Sequence, residues 1–324
     1  MKRRLHILLY IIGAALAPAC SQTEVEKPND AICFAPVASK PTKAIISGTT
    51  YPTGESFVVS AYHNGTAAYF EDLTASYSSS LTLWATAVSQ YWPLAGSLSF
   101  YAYSPASASA SGVSISSAGV SAEDYTIQTA AQMTTDLCYA SASVADCAAH
   151  PDAVPMTFSH ALSQVVFRVK AAGYYSNASR TVSLAMTSLS MSGIYSVGDF
   201  SGGAWDNQNT EQTYSLSNSS TALTYDGGNQ PETVEVCSYL FLPQQLGPNA
   251  AINVGYSIIQ TVSGTNYTLE NAPVTIPLGG SVTEWQAGKK YIYTLNIGMN
   301  NVITISVSAV GWQDGGDNII VEEN

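Results

Sequence analysis

Few side chains in this sequence are placed to do chemistry. Apart from Cys20 near the start, the thiols are Cys33, Cys138, Cys147 and Cys237, and the later imidazoles are His63, His150 and His160. No two cysteines form a CxxC pair and no histidine sits at zinc-ligand spacing from them, so neither a metal centre nor a cofactor is expected. Cys138 and Cys147 admit two readings: a small disulfide-closed loop in an oxidising compartment, or buried free thiols. His160, following Phe158-Ser159 in a strand-like run, reads as a packed or capping histidine. Glu123 and Asp124 are the nearest approach to a carboxylate pair for glycoside hydrolysis. They are adjacent beside a serine-rich run and read as solvated acids. Asp314 and Asp317 flank Gly315-Gly316 without the ligand spacing of a calcium loop and read as a turn. GxSxG, P-loop, HExxH and GxGxxG motifs are absent, and catalysis is not expected.

Cys20 has a different setting. Lys2, Arg3 and Arg4 precede an apolar run from Leu5 to Ala17, interrupted only by His6. A bilayer span needs about twenty residues, so this shorter run with its basic start and small residues reads as a secretory signal covering residues 1–19. The stretch Leu16-Ala17-Pro18-Ala19-Cys20 resembles a bacterial lipoprotein signal, with Leu one position further from the Cys than usual. Acylation of Cys20 would anchor the chain to the outer membrane without a spanning helix. An ordinary signal peptide with an incidental Cys20 is the alternative. Residues 20–30, with Glu24, Glu26 and Asp30, read as an acidic tether, and acidic residues behind the Cys resemble the surface-export signals of some Gram-negative lipoproteins.

Composition limits the partners. Of 324 residues, 46% are hydrophobic and only 10% charged, against about a quarter charged in an ordinary domain. The surface must therefore be built from Ser, Thr, Asn, Gly and Tyr. Eleven Lys+Arg face 23 Asp+Glu, a net charge of -12, which becomes -15 when Lys2, Arg3 and Arg4 leave with the signal. That excludes a phosphate-neutralising surface and hence nucleic acid as a partner. Five Trp, 20 Tyr and eight Phe supply ample core material.

The elements that must carry these residues are strands. Phe57, Val59 and Ala61 share a face, as do Leu98, Phe100 and Ala102, and Val165, Phe167 and Val169. The same alternation runs through 252–258, through Tyr291, Tyr293, Leu295 and Ile297, and through Ile303, Ile305, Val307 and Ala309. A period of two means one face buried and one exposed. Turn signals separate the runs at Asn64-Gly65, Asp226-Gly227-Gly228 and Gly279-Gly280. The expectation is all-β, with a surface loop or edge hairpin over Ala106–Gly119 and a short helical piece around Val144–Ala149. The prolines at 151 and 155 suggest a boundary between two antiparallel sandwiches, residues 31–153 and 154–324.

Particular stretches point further. The run from Tyr91 to Pro105, YWPLAGSLSFYAYSP, resembles the signature of the Bacteroidales fimbrillin family, whose members are fimbrial-subunit lipoproteins of type V pili. Asp136-Leu137-Cys138-Tyr139-Ala140, the run from Val154 to Lys170, the run from Trp285 to Leu295, and Gly311–Gly316 are similar to further family elements. The resemblance implies two tandem transthyretin-like β-sandwich domains and a structural role in surface fimbriae or adhesion. It also implies a trypsin-like maturation protease that removes an N-terminal strand, so that another subunit's strand, commonly C-terminal, fills the groove. On that pattern Ile32, Phe34 and Val37 would be the removable strand. Ile303, Ile305, Val307 and Ala309, or Ile319 and Val321 in the last apolar run, would be the donor. The family's stalk subunits are usually cut after Arg. Here no Arg lies between Arg4 and Arg168, and Lys40 precedes Pro41, so the bond Lys43–Ala44 is the expected cut. Partners would be other fimbrial subunits and host or bacterial surface ligands. The alternative is a monomeric outer-membrane surface lipoprotein that binds glycans through exposed Tyr and Trp.

Overall fold

A computed structural model describes residues 31–38, 51–225, 229–270, 273–280, 282–299, 303–311 and 321–322. Cys20, Lys43, Ala44, Ile319 and the pair Asp314 and Asp317 lie outside the described residues. Residues 31–324 form one compact unit.

The fold is all-β. The first part contributes β1 (Phe34–Ala38), β2 (Phe57–His63), β3 (Ala67–Ser78), β4 (Leu83–Thr86), β5 (Leu98–Ser104), β6 (Val113–Ser116), β7 (Gly119–Thr126), β8 (Cys138–Val144) and β9 (Val154–His160). Seven of these make a closed sheet in the order β1-β4-β3-β2-β5-β8-β9. Asn64 and Gly65, both at positive φ, turn β2 back into β3. Along β5 the inward set Leu98, Phe100 and Ala102 is fully buried. The core of this sheet is an aromatic cluster of Phe34, Tyr51, Phe57, Phe100 and Phe158.

The rest forms a sandwich from β10 (Ser163–Ala171), β11 (Arg180–Ser201), β12 (Ala204–Ser217), β13 (Thr221–Leu223), β14 (Val234–Phe241), β15 (Gln244–Gln245), β16 (Ala251–Val262), β17 (Thr265–Glu270), β18 (Val274–Pro277), β19 (Glu284–Trp285), β20 (Lys289–Ile297), β21 (Ile303–Gly311) and β22 (Val321–Glu322). One sheet runs β14-β10-β20-β21-β22; the other runs β17-β16-β11-β7-β6, with β12, β13 and β18 pairing beside it. Phe167 stacks on Tyr293 at 5.4 Å within the second core, which also buries Leu184, Met186, Ile252, Val254 and Ile258.

Packing does not divide the chain at 153/154. Val154–His160 belongs to the closed sheet, while the hairpin β6–β7 pairs with β11 in the sandwich. The alternation of Val154, Met156 and Phe158 establishes that the strand has a buried face, but not which core receives it. The same hairpin makes β2 buried on both faces: Val58, expected outward, packs with Val113 and Val120 in the second core. Ala106–Gly119 therefore holds a short 3-10 turn (Ala106–Ser111) and an edge hairpin, and the helical piece expected near 144–149 is a 3-10 turn at Cys147–Ala149.

Candidate functional site: the closing strand and its groove

The first sheet closes only because β1 joins its two ends. On one side β1 meets β4 through the single pair Phe34↔Trp84. On the other it runs parallel to β9 over five pairs, from Phe34↔Val154 to Ala38↔Phe158. Just before the strand, Val154 N–H donates to Cys33 O at 2.8 Å and Ile32 N–H donates to Gln90 O at 2.7 Å. Parallel strands need long connections, and here more than a hundred residues separate the partners.

The inward positions follow from the period of two. Ile32, Phe34 and Pro36 are buried, in phase with Val154, Met156 and Phe158 across the ladder. Phe34 is fully buried, with its ring edge-on to Phe57 at 5.7 Å and to Phe100 at 5.9 Å. Beneath it, Tyr51 packs on Phe57, Phe158 and Trp84, and its hydroxyl shares a 2.8 Å hydrogen bond with Ser104. Burial pushes the Tyr51 phenol well up, so it stays neutral. Burying side chains of the size of Ile32 and Phe34 contributes about 1.5–3 kcal/mol each.

Of the three residues expected in a removable strand, the structure brings Ile32 and Phe34 into this groove. Val37 lies on β1 but is 40% exposed, because it stands an odd number of residues from Phe34 and so points to the other face. Pro36 takes the third inward position. Spacing from Ile32 and Phe34 was the available signal for it, and a proline is tolerated where a strand needs no further donor. Of the expected donors, Ile303, Ile305, Val307 and Ala309 lie in β21, paired residue for residue with β20 along nine positions. Val307 is buried; the other three are partly buried against the second core. Val321 lies in β22, whose pairs with β21 among the described residues are Ser306↔Glu322 and Val307↔Val321.

Sequence reasoning missed one polar cluster. Asp136, Cys138 and His160 come together where β8 begins and β9 ends, all buried, with Cys138 and His160 facing each other in register. His160 Nδ1 lies 2.8 Å from Asp136 Oδ2 and 3.5 Å from Cys138 Sγ. A nucleophile relay needs the carboxylate and the nucleophile on opposite ring nitrogens; here both meet Nδ1. Burial, with the nearby Asp136 charge, pushes the Cys138 thiol well up, the opposite of an activated thiolate. Among the described residues, these three have donor atoms within 4.8 Å of one another that could hold a cation. The short contact from Nδ1 to the Asp136 carboxylate makes them a buried polar pair with a thiol beside it. Cys33, Cys138, Cys147 and Cys237 are all free, which removes the disulfide reading for Cys138 and Cys147. Glu123 and Asp124 are exposed on β7, and Asp124 N–H donates to Asp199 Oδ1 where the β7–β11 register shifts, so the contact braces a bulge between strands. The exposed Tyr174 meets Tyr225 edge-on, so those two rings present no flat platform for a sugar.

A strand that spans two sheet edges, over an aromatic groove, defines an all-β protein whose first sheet is completed by its N-terminal strand. The profile of the family described as fimbrillin-like matches residues 42–312. The chain belongs to the fimbrillin-like family. It is similar in fold to a candidate cell adhesion protein from Bacteroides uniformis, at 16% identity and TM-score 0.51, covering 89% of this chain and all of that one. A candidate cell adhesion protein from Parabacteroides distasonis gives 11% identity and TM-score 0.49, covering 87% and 99% of the two chains. Candidate polysaccharide-binding proteins from Bacteroides thetaiotaomicron give 8%, 0.44, 91% and 98%. No curated protein matches the sequence.

Proposed function

We propose that this chain is a structural subunit of cell-surface fimbriae, exported as a lipoprotein through Cys20 and held at the outer membrane until it is processed. Cleavage of Lys43–Ala44 by a trypsin-like protease would free residues up to 43, and with them β1. The observation that carries this reading is the position of β1: it alone joins β4 to β9, so its loss opens the sheet. The opened sheet would leave the β9 ladder at Val154–Phe158 unpaired and the Ile32, Phe34 and Pro36 positions empty. An edge of that kind is completed by an incoming strand, with ladder hydrogen bonds giving affinity and alternate side chains filling the slot.

The donor on this reading is the apolar run around Ile319–Val321, close to the C-terminus, since withdrawing β21 would break its nine pairs with β20. Ile319 and Val321 carry the spacing of two that Ile32 and Phe34 occupy. The test is N-terminal sequencing and intact mass of the protein shed from native cells. An N-terminus at Ala44, together with ladders that survive mild detergent, is the expected result. Protein carrying only acylated Cys20 as its N-terminus would refute processing.

A further inference from the structure

We infer that the loop from Ala87 to Ser97 is the docking surface for the body of the next copy of this chain, and that the donor strand enters the groove in the direction of β1, parallel to β9. The inference rests on the strand-exchange reading above and adds to it a direction and a contact.

The two ends of the groove differ. At the Ala38 end, β9 runs from Phe158 through His160 directly into Ala161 and Leu162, both fully buried in the second core, so that end abuts the same molecule's own sandwich. The other end, where Ala31 bridges Tyr91 and Ile32 donates to Gln90, opens onto the 87–97 loop. A donor in the last strands is preceded by the body of its own subunit. If that body stands at the open end, the donor must run away from it, as β1 does.

The loop is built as a contact. Trp92 is folded under it, stacked on His150 at 4.5 Å and edge-on to Phe100. His63 Nε2 lies 3.0 Å from Ala95 O, Ser97 N–H donates to Asn64 Oδ1, Cys147 N–H donates to Gly96 O, and Tyr69 OH donates to Tyr91 O at 2.6 Å. Gly96 sits at φ +89°, and a Cβ there would meet His63 Nε2 at 2.4 Å, so the close approach requires glycine. On this braced frame Leu94 is 95% exposed and Val88 72%, with Tyr91 half exposed between them. A loop whose backbone is already braced loses little entropy on docking, which favours apolar side chains carried on it as interface anchors. Charge supports the same occupant. The chain carries a net charge of -12, so two copies repel each other overall. The 87–97 loop holds no charged residue, so two copies can meet there without that repulsion.

The test uses processed protein beginning at Ala44. Wild-type protein should form detergent-resistant ladders, and Val88→Asp with Leu94→Asp should slow ladder formation about tenfold or more. The variant should still bind a labelled peptide of residues 317–324 as the wild type does, since the groove is untouched. Ladders at the wild-type rate in the variant would overturn the docking surface. For direction, the peptide with an added N-terminal Cys should cross-link to Ser89→Cys, and the peptide with an added C-terminal Cys should not; the reverse overturns the parallel entry. Absence of both ladders and peptide binding in wild-type protein would instead sink strand exchange itself, and the docking surface with it.

Discussion

Phe34→Ala separates a strand that merely packs from one that is meant to leave. In the unprocessed chain Phe34 is fully buried, with Phe57 and Phe100 edge-on to its ring at 5.7 and 5.9 Å. Deleting such a ring costs about 3–5 kcal/mol, the lost transfer energy plus the cavity left among those aromatics. At roughly 2–4 °C per kcal/mol for large single units, the precursor's melting temperature should fall by roughly 6–20 °C. Once residues up to 43 have been removed, Phe34 is no longer part of the subunit. Polymers grown from processed Phe34→Ala protein should therefore match wild type in detergent and thermal resistance. Exchange should also start faster, by up to about a thousandfold if the whole loss appears in the release step, because the cut strand is held less tightly. The assay is scanning calorimetry of the precursor, followed by timed protease addition with ladders read on unboiled gels. A precursor loss below about 1 kcal/mol would mean the aromatic slot is not what holds β1. A polymer weakened by the substitution would mean that Phe34 stays in the assembled subunit, and the removable-strand reasoning would fail.

Three further outcomes follow from other parts of the molecule. Lys43→Gln should leave the precursor uncut by a trypsin-like protease while Lys43→Arg is cut at the same bond, as mass spectrometry will read. Asp136→Ala strips His160 Nδ1 of its buried carboxylate and should cost about 3 kcal/mol in urea unfolding without altering ladder yield, since the pair lies outside the β1 slot. Burial raises the thiols of Cys33, Cys138, Cys147 and Cys237 above their ordinary value of 9.0, with Cys237 pushed up to about 12. A group raised in the folded state favours folding while it is neutral in both states. Stability should therefore hold below pH 9 and decline as the pH climbs from there toward 12, and alkylation by iodoacetamide at pH 8 should be slow until urea is added. Rapid labelling of the folded protein at pH 8 would contradict the burial of these thiols.

How much was legible in the sequence depends on which interactions are local. Alternation in Leu98, Phe100 and Ala102, or in Tyr291, Tyr293 and Leu295, states that a segment is a strand and which face is buried; those residues are buried, while Tyr103 and Ile292 on the opposite faces are buried too. The turn at Asn64-Gly65 was equally plain, since those residue types are what positive φ selects. Assignment of strands to cores was not legible. Val154–His160 reads the same whether it closes the first sheet or opens the second, and the parallel partner that decides it lies at Phe34–Ala38, far off in sequence. The polar cluster was hidden for a similar reason. Asp136 and Cys138 are near neighbours, but His160 joins them only because β8 and β9 pair at that end. The phase of β1 is legible for Ile32 and Phe34, while parity puts Pro36 and not Val37 in the slot. That substitution bears on assembly. On the strand-exchange proposal, a slot whose third position held a proline would make no demand for a large side chain there, so the proposed donor, with Ile319 and Val321 at a spacing of two, would suffice.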